Sequence, residues 1–252
     1  KTYRFIKTRE AILKSIFLGC AVFAIIALIL ICVFLFITGA PFITKTGIAD
    51  FIFGTEWNVA DINNPSYGIF SMIIATLYVT ALSVLIGVII GLFTAVSLYK
   101  FCNKKIVVVI RQMINLLAGI PSVVYGLFGM IIIIPFLRDY ISPNGMGYGI
   151  LAASLVLSIM ILPTIVCISL DALNAVPHTY FEGALALGAT KEQAVFKTML
   201  PAAKSGIFAG VVLAIGRALG ETMAVIMVIG GSPEMPTSLF QSVRTMTANI
   251  AM

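Results

Sequence analysis

The chain reads as an all-α, polytopic membrane helical bundle. Apolar residues make up 60% of its 252 residues and charged residues only 10%, against about 25% charged in a soluble domain. The apolar residues gather into five stretches, each reaching the roughly 20 residues that a membrane crossing requires. The basic residues fall into short loops between those stretches rather than onto one face. The net charge of +6 therefore speaks of orientation in a membrane, and no nucleic-acid partner is expected.

In chain order, residues 1–14 are basic (Lys1, Arg4, Lys7, Arg9, Lys14), and a first span covers about 15–37. A cleaved leader has an apolar core of only about 7–15 residues, so this span reads as a retained anchor. The chain does not begin with Met, which suggests further residues before Lys1. Residues 38–67 form a mixed loop. The second span, about 69–98, carries Gly87 and Gly91. That spacing suits either close helix packing or ordinary glycine placement. A short basic loop at 100–111 leads to a third span at about 113–136. Gly119, Ile120 and Pro121 inside it predict a kink. Residues 137–148, with Pro143, Asn144 and Gly145, are a loop. The fourth span covers about 149–170, with Pro163 inside. A polar segment at 171–204 precedes the fifth span at about 205–229. The tail 230–252 is too polar to cross.

If five spans alternate, twelve of the sixteen Lys and Arg residues lie on one side, three on the other (Lys45, Arg138, Arg244) and one, Arg217, within a span. The bias places the N-terminus and the 171–204 segment in the cytoplasm. Four cysteines without C-x-x-C spacing (Cys20, Cys32, Cys102, Cys167) read as small free hydrophobes. A lone histidine, His178, gives no basis for a His-based metal site or catalytic triad. No metal or cofactor is expected on this chain.

Two features point to function. The first is Thr179–Pro201. Thr179 with Glu182 and Thr190 with Gln193 each fit a capping box. Gly188 between them suits a left-handed turn, and Pro201 suits the first turn of a following helix. The pattern predicts two short helices offered to a partner. The alternative is a spacer whose Phe181, Leu185, Val195, Phe196, Met199 and Leu200 rest on the bilayer. The second is Arg217 with Glu221, the charges deep within a span. Charge at mid-bilayer costs about 2.5–3.5 kcal/mol on insertion scales. The i, i+4 spacing predicts one shared helix face, turned to the bundle interior or a wet path. Arg217 would meet an anionic solute and Glu221 would tune it; a purely structural ion pair is the alternative. Gly216 and Gly220 beside them would let another helix approach.

The spacing Glu182-Gly183-Ala184, Gly188, Leu200-Pro201 resembles the E-A-A…G…I-x-L-P loop of permease subunits of bacterial ABC importers. Gly183 stands there for the usual alanine and Thr198 for the usual isoleucine. Further, IPSVVYGLFG at 120–129, ILPTIVCISLDAL at 161–173 and RALGETMAVIMVIG at 217–230 resemble the C-type membrane subunit of the phosphate-specific importer. The resemblance spans about 68–232. It implies the type I ABC importer permease fold, with 1–68 as anchor helix and external loop and 69–252 as the permease domain. It also implies a sixth span after the segment matching 233–252, so that five are visible and the sixth is absent from this sequence. Glu182, Ala184, Gly188, Leu200 and Pro201 would couple to an ATP-binding subunit, and Arg217 and Glu221 would line the anion path. ATP and Mg would be held by the partner ATPase, since no G-x-x-x-x-G-K-[ST] loop occurs here. The chain would thus be a transport subunit rather than an enzyme. A second homologous permease and an external phosphate-binding protein complete the implied assembly in the bacterial inner membrane. Sulfate or molybdate as cargo, a membrane-embedded enzyme using Glu221, and a structural scaffold remain as alternatives.

Overall fold

The computed structural model describes residues 2–59, 61, 64–142 and 145–252. Lys1, Pro143 and Asn144 lie outside the described residues. The chain divides into two compact units, Lys1–Phe53 and Gly54–Met252. The structural boundary thus precedes the expected division at 68/69. The Gly54–Gly68 loop folds with the helices on its C-terminal side. Gly68 N donates to Glu56 O at 2.9 Å and Phe70 N to Gly54 O at 3.0 Å. Two-residue strands β1 (Trp57–Asn58) and β2 (Ser66–Tyr67) pair antiparallel, with the Trp57 and Tyr67 rings edge to face.

In the first unit, helix α1 (Thr2–Thr46) runs well past the expected span, and α2 (Ile48–Phe53) comes after Gly47. The 38–67 stretch is therefore helical over much of its length. Thr38, Thr44 and Thr46 return their hydroxyls to the helix, as Thr38 Oγ1 does to Phe34 O at 2.8 Å. From Ile12 to Phe42 the large apolar side chains of α1 are exposed, as lipid or a protein partner would require.

The second unit is built around α3 (Phe70–Val96, prolonged by a π-helical turn Ser97–Phe101) and α7 (Ile150–Ala175). Both run in the same direction. Ser71, Ala75, Val79, Ser83, Gly87, Gly91 and Ala95 recur every four residues along α3, and all are buried. Ser154 Oγ reaches Val79 O. A Cβ at Gly87 would come within 2.9 Å of Ile161, and one at Gly91 within 2.8 Å of Ile165. The glycine pair therefore serves close helix packing.

The basic loop expected at 100–111 is largely helix instead. Helix α4 (Lys104–Ala118) is capped by Asn103, whose Oδ1 accepts from Lys105 N. Its basic residues belong to an amphipathic helix rather than a turn. Pro121 then occupies the N-cap of α5 (Ser122–Phe128). Lacking an N–H and holding φ at −59°, it begins a new helix instead of kinking a continuous one. A π turn (Gly129–Ile133) and α6 (Ile134–Tyr140) complete that span. The fifth expected span is also divided. The helices here named α11 (Lys204–Gly220) and α12 (Met223–Ile229) are separated at Glu221–Thr222. Among the described residues, Ile12–Thr46, Phe70–Phe101, Ser122–Tyr140 and Ile150–Ala175 can each cross a membrane, and Lys191–Ala202 with Lys204–Gly220, bent by 67°, can count as a fifth.

α11 runs antiparallel to α7. Gly206 faces Ala172, Gly210 faces Ile168, and Ala214 and Ala218 cluster with Ile161 and Ile165. α12 lies on α5, where a Cβ at Gly126 would stand 3.0 Å from Ala224 Cα. The tail folds back on the bundle. Val243 exchanges backbone bonds with Gly231 and Ile229, and α13 (Met246–Ala251) starts where Met246 N donates to Thr76 Oγ1 of α3.

Candidate functional site

The polar segment forms α8 (His178–Ala186), α9 (Lys191–Ala194), a π turn (Val195–Met199) and α10 (Leu200–Ala202). Of the two expected capping boxes, one forms. Thr190 Oγ1 accepts from Gln193 N at 3.3 Å, and Gln193 Oε1 accepts from Thr190 N at 3.1 Å. The Thr179–Glu182 box does not form, because Pro177 takes the N-cap and moves Thr179 into the first turn. Glu182 Oε1 pairs instead with His178 Nδ1 at 3.1 Å. Between the helices Gly188 adopts φ +85°. Gly188 N donates to Leu185 O and Ala189 N to Ala184 O, which is a Schellman closure. The Glu192 amide, and next the Thr190 hydroxyl, hold the Glu192 carboxyl below the usual range. A lowered value means this contribution is present at neutral pH and is lost as pH falls through the folded value.

The apolar residues of this segment do not form one bilayer-facing set. Phe181, Val195 and Met199 are buried with Val96 and Leu173 at the ends of α3 and α7. Leu185, Phe196 and above all Leu187, 91% exposed, point away. Of the five candidate coupling residues, Ala184 and Leu200 pack inward. Glu182, Gly188 and Pro201 face out. The segment is thus a small folded body seated on two spans, with a polar and apolar outer surface.

The second candidate site lies where two broken helices meet. The α11–α7 register puts Arg217 and Glu221 level with Leu157–Ile161, near the middle of the roughly 30 Å that α7 spans from Ile150 to Leu170. The two residues do not share a helix face. Arg217 is in the last turn of α11, while Glu221 has extended backbone (φ −73°, ψ 129°). Among the described residues they form no ion pair. Glu221 Oε1 instead accepts from Ala224 N at 3.3 Å in the first turn of α12. Its carbonyl accepts from Thr247 Oγ1 of α13 at 2.9 Å, so the broken backbone is satisfied by protein, as membrane depth demands. The neighbouring break is closed in a parallel way, since the buried Tyr125 hydroxyl donates to Leu117 O at 2.8 Å across Gly119–Pro121. Tyr125 lies within electrostatic range of Arg217. Thr247 and Tyr125 carry no sequence pattern that marks them for this role.

Arg217 does not face the interior of this chain's bundle but is exposed on its surface, as are Gly216 and Gly220. Nothing lies within 4 Å of where a Cβ on either glycine would stand. An uncovered cation at that depth is costly, so the surface requires a water-filled path or a polar partner.

Residues 87–251 match the family model described as binding-protein-dependent transport system inner membrane component. The probable ABC transporter permease protein YqgH of Bacillus subtilis is 38% identical, over 95% of this chain and 77% of its own length. The phosphate transport system permease protein PstC of Mesorhizobium japonicum is 35% identical, over 80% of this chain and 66% of its own. PstC of Xylella fastidiosa is 32% identical, over 94% and 78%. Among solved structures, an inward-facing MetNI methionine ABC transporter chain is 25% identical with a TM-score of 0.55, covering 65% of this chain and 74% of that one.

Proposed function

The chain belongs to the family of inner membrane components of binding-protein-dependent transport systems, and from that premise we propose that it is a permease subunit carrying inorganic phosphate inward. One observation carries the reading: a lone arginine is exposed at mid-membrane depth beside two broken spans, in a chain whose relatives include proteins named phosphate permeases. Discontinuous helices near the midplane are where transporters build solute sites. A second homologous permease would cover the Arg217 surface and leave the anion path between the two chains. Arg217 would hold the anion's charge. Glu221 acts mainly as the residue that starts α12 and so sets where that path is open. ATP would be hydrolysed by a separate subunit docked on the outer surface of α8–α10, with the N-terminus and that segment in the cytoplasm. An external binding protein would deliver the solute. These two events would bias one two-state element from opposite sides.

The test is uptake of labelled phosphate by the complete complex in proteoliposomes, with unlabelled sulfate and molybdate as competitors. Arg217→Ala should reduce uptake by about tenfold or more, the equivalent of a lost charge-assisted hydrogen bond of roughly 1.5–3 kcal/mol. Unlabelled phosphate should compete and the other oxyanions should not. Wild-type uptake by the variant would remove Arg217 from the path, and competition by sulfate or molybdate would widen the cargo.

A further inference from the structure

We infer that Lys100 is a positioning residue that fastens α8 to the end of α3, so that movement of α8 enters the α3–α7 pair. The inference rests on the docking role proposed for α8. Lys100 sits in the π turn Ser97–Phe101, which prolongs α3. Its Nζ lies 2.9 Å from His178 Nε2 and 4.3 Å from the centre of the Phe181 ring. Both partners are on α8. An ammonium has three donors and no acceptor, so Nε2 must be the acceptor. Nδ1 then carries the proton and donates to the Glu182 carboxylate at 3.1 Å. The relay has one sense, from ammonium through neutral imidazole to carboxylate. It uses the chain's single histidine and ends on a residue of the proposed docking surface.

Phe181, under the ammonium, is buried against Val96 of α3 and Leu173 of α7. Lys100 therefore clamps the one aromatic anchor of α8 from above while holding its first turn through His178. His178 and Glu182 are mostly exposed, and exposed ion pairs add little stability. What the arrangement supplies is direction. α8 is joined to α7 through Val176 and Pro177 and would swing about that joint under load. A polar tie to α3 fixes the swing to a second span. That span is packed on α7 by its four-residue stripe of small residues, so the two would move together.

The experiment measures phosphate uptake and ATP hydrolysis together in the reconstituted complete complex. Lys100→Met keeps the aliphatic stem and removes the charge and donors. Transported phosphate per ATP should fall about fivefold or more, with the ATPase still bound and active. Lys100→Arg keeps a donor and the cation over the ring and should restore most of the ratio. A normal ratio in Lys100→Met, or an equally low one in Lys100→Arg, overturns the assignment. Should Lys100→Met fail to assemble, His178→Phe decides. It preserves ring packing on Phe181 and lacks both nitrogens, so the same fall is expected and a normal ratio overturns the assignment. If no ATPase stays with the wild-type complex, the docking reading itself fails, and the tie then has no motion to pass.

Discussion

Two interruptions between helices, Leu187–Thr190 and Glu221–Thr222, are closed by opposite means. At the first, every bond that closes the turn comes from residues between Gly183 and Ala194. At the second, the carboxylate of Glu221 is used locally on Ala224. The Glu221 carbonyl, however, depends on Thr247, 26 residues away. Thr247 is placed by α13, which is itself tied to Thr76 of α3. The difference comes from the solvent. A turn in water has water as a substitute partner, so its own sequence suffices. A break at membrane depth has none, so the fold must bring a donor to it. The first interruption is therefore a unit that can be displaced whole, and the second is a joint whose geometry reports on the tail and on α3.

The sharpest way to break this contrast is Thr247→Val. It leaves the shape almost intact and removes the hydroxyl that serves the Glu221 carbonyl. An unsatisfied buried acceptor costs about 1–3 kcal/mol. The thermal transition of the purified complex should fall, and uptake should fall with it, because α12 would lose its fixed starting point. Thr247→Ser should recover both. A variant with wild-type melting and uptake would show that the joint is held by something other than this bond.

Legibility in the sequence obeys the same division. α3 and α7 could be read because their apolar runs and four-residue spacing of small residues are local and continuous. The Gly188 turn and the Thr190–Gln193 box could be read for the same reason. The Thr179–Glu182 box has the same letters and does not form, because Pro177, one position before His178, fixes the helix start earlier. Pro121 announced a disturbance but not its size: it ends α4 altogether. The Glu221 break was hidden. Gly220, Glu221 and Thr222 include no proline, and Arg217–Glu221 at i, i+4 reads as one helical face. What stabilises the break is a threonine from the folded-back tail, which no window around residue 221 contains. α4 was missed at its start because its basic residues read as loop, although they belong to an amphipathic helix.

Smaller effects are expected on the self-contained side. Gly188→Ala places a Cβ at φ +85°. Nothing lies within 4 Å of that position, so the cost is backbone strain alone, about 1–2 kcal/mol. It should show as weaker retention of the ATPase subunit, because the angle between α8 and α9 is set there. Co-purification yield at matched permease levels measures it, and an unchanged yield would mean that the turn does not shape the docking surface.

Thr190→Ala should be smaller and confined. The hydroxyl holds one amide of a four-residue helix in water, and losing such a cap costs about 1 kcal/mol. Gln193 can no longer complete the reciprocal pair with that hydroxyl, although its side chain can still reach the amide of residue 190. Backbone amide exchange should therefore quicken across 191–199. It should stay unchanged at Ala224–Val228, whose protection depends on Glu221, Thr247 and the packing of α12 on α5. The two segments are compared within one sample, so assembly and lipid content cancel. Faster exchange in both would mean that the cytoplasmic turn and the membrane joint share one stability, and that a displacement of the first is felt by the second even without nucleotide.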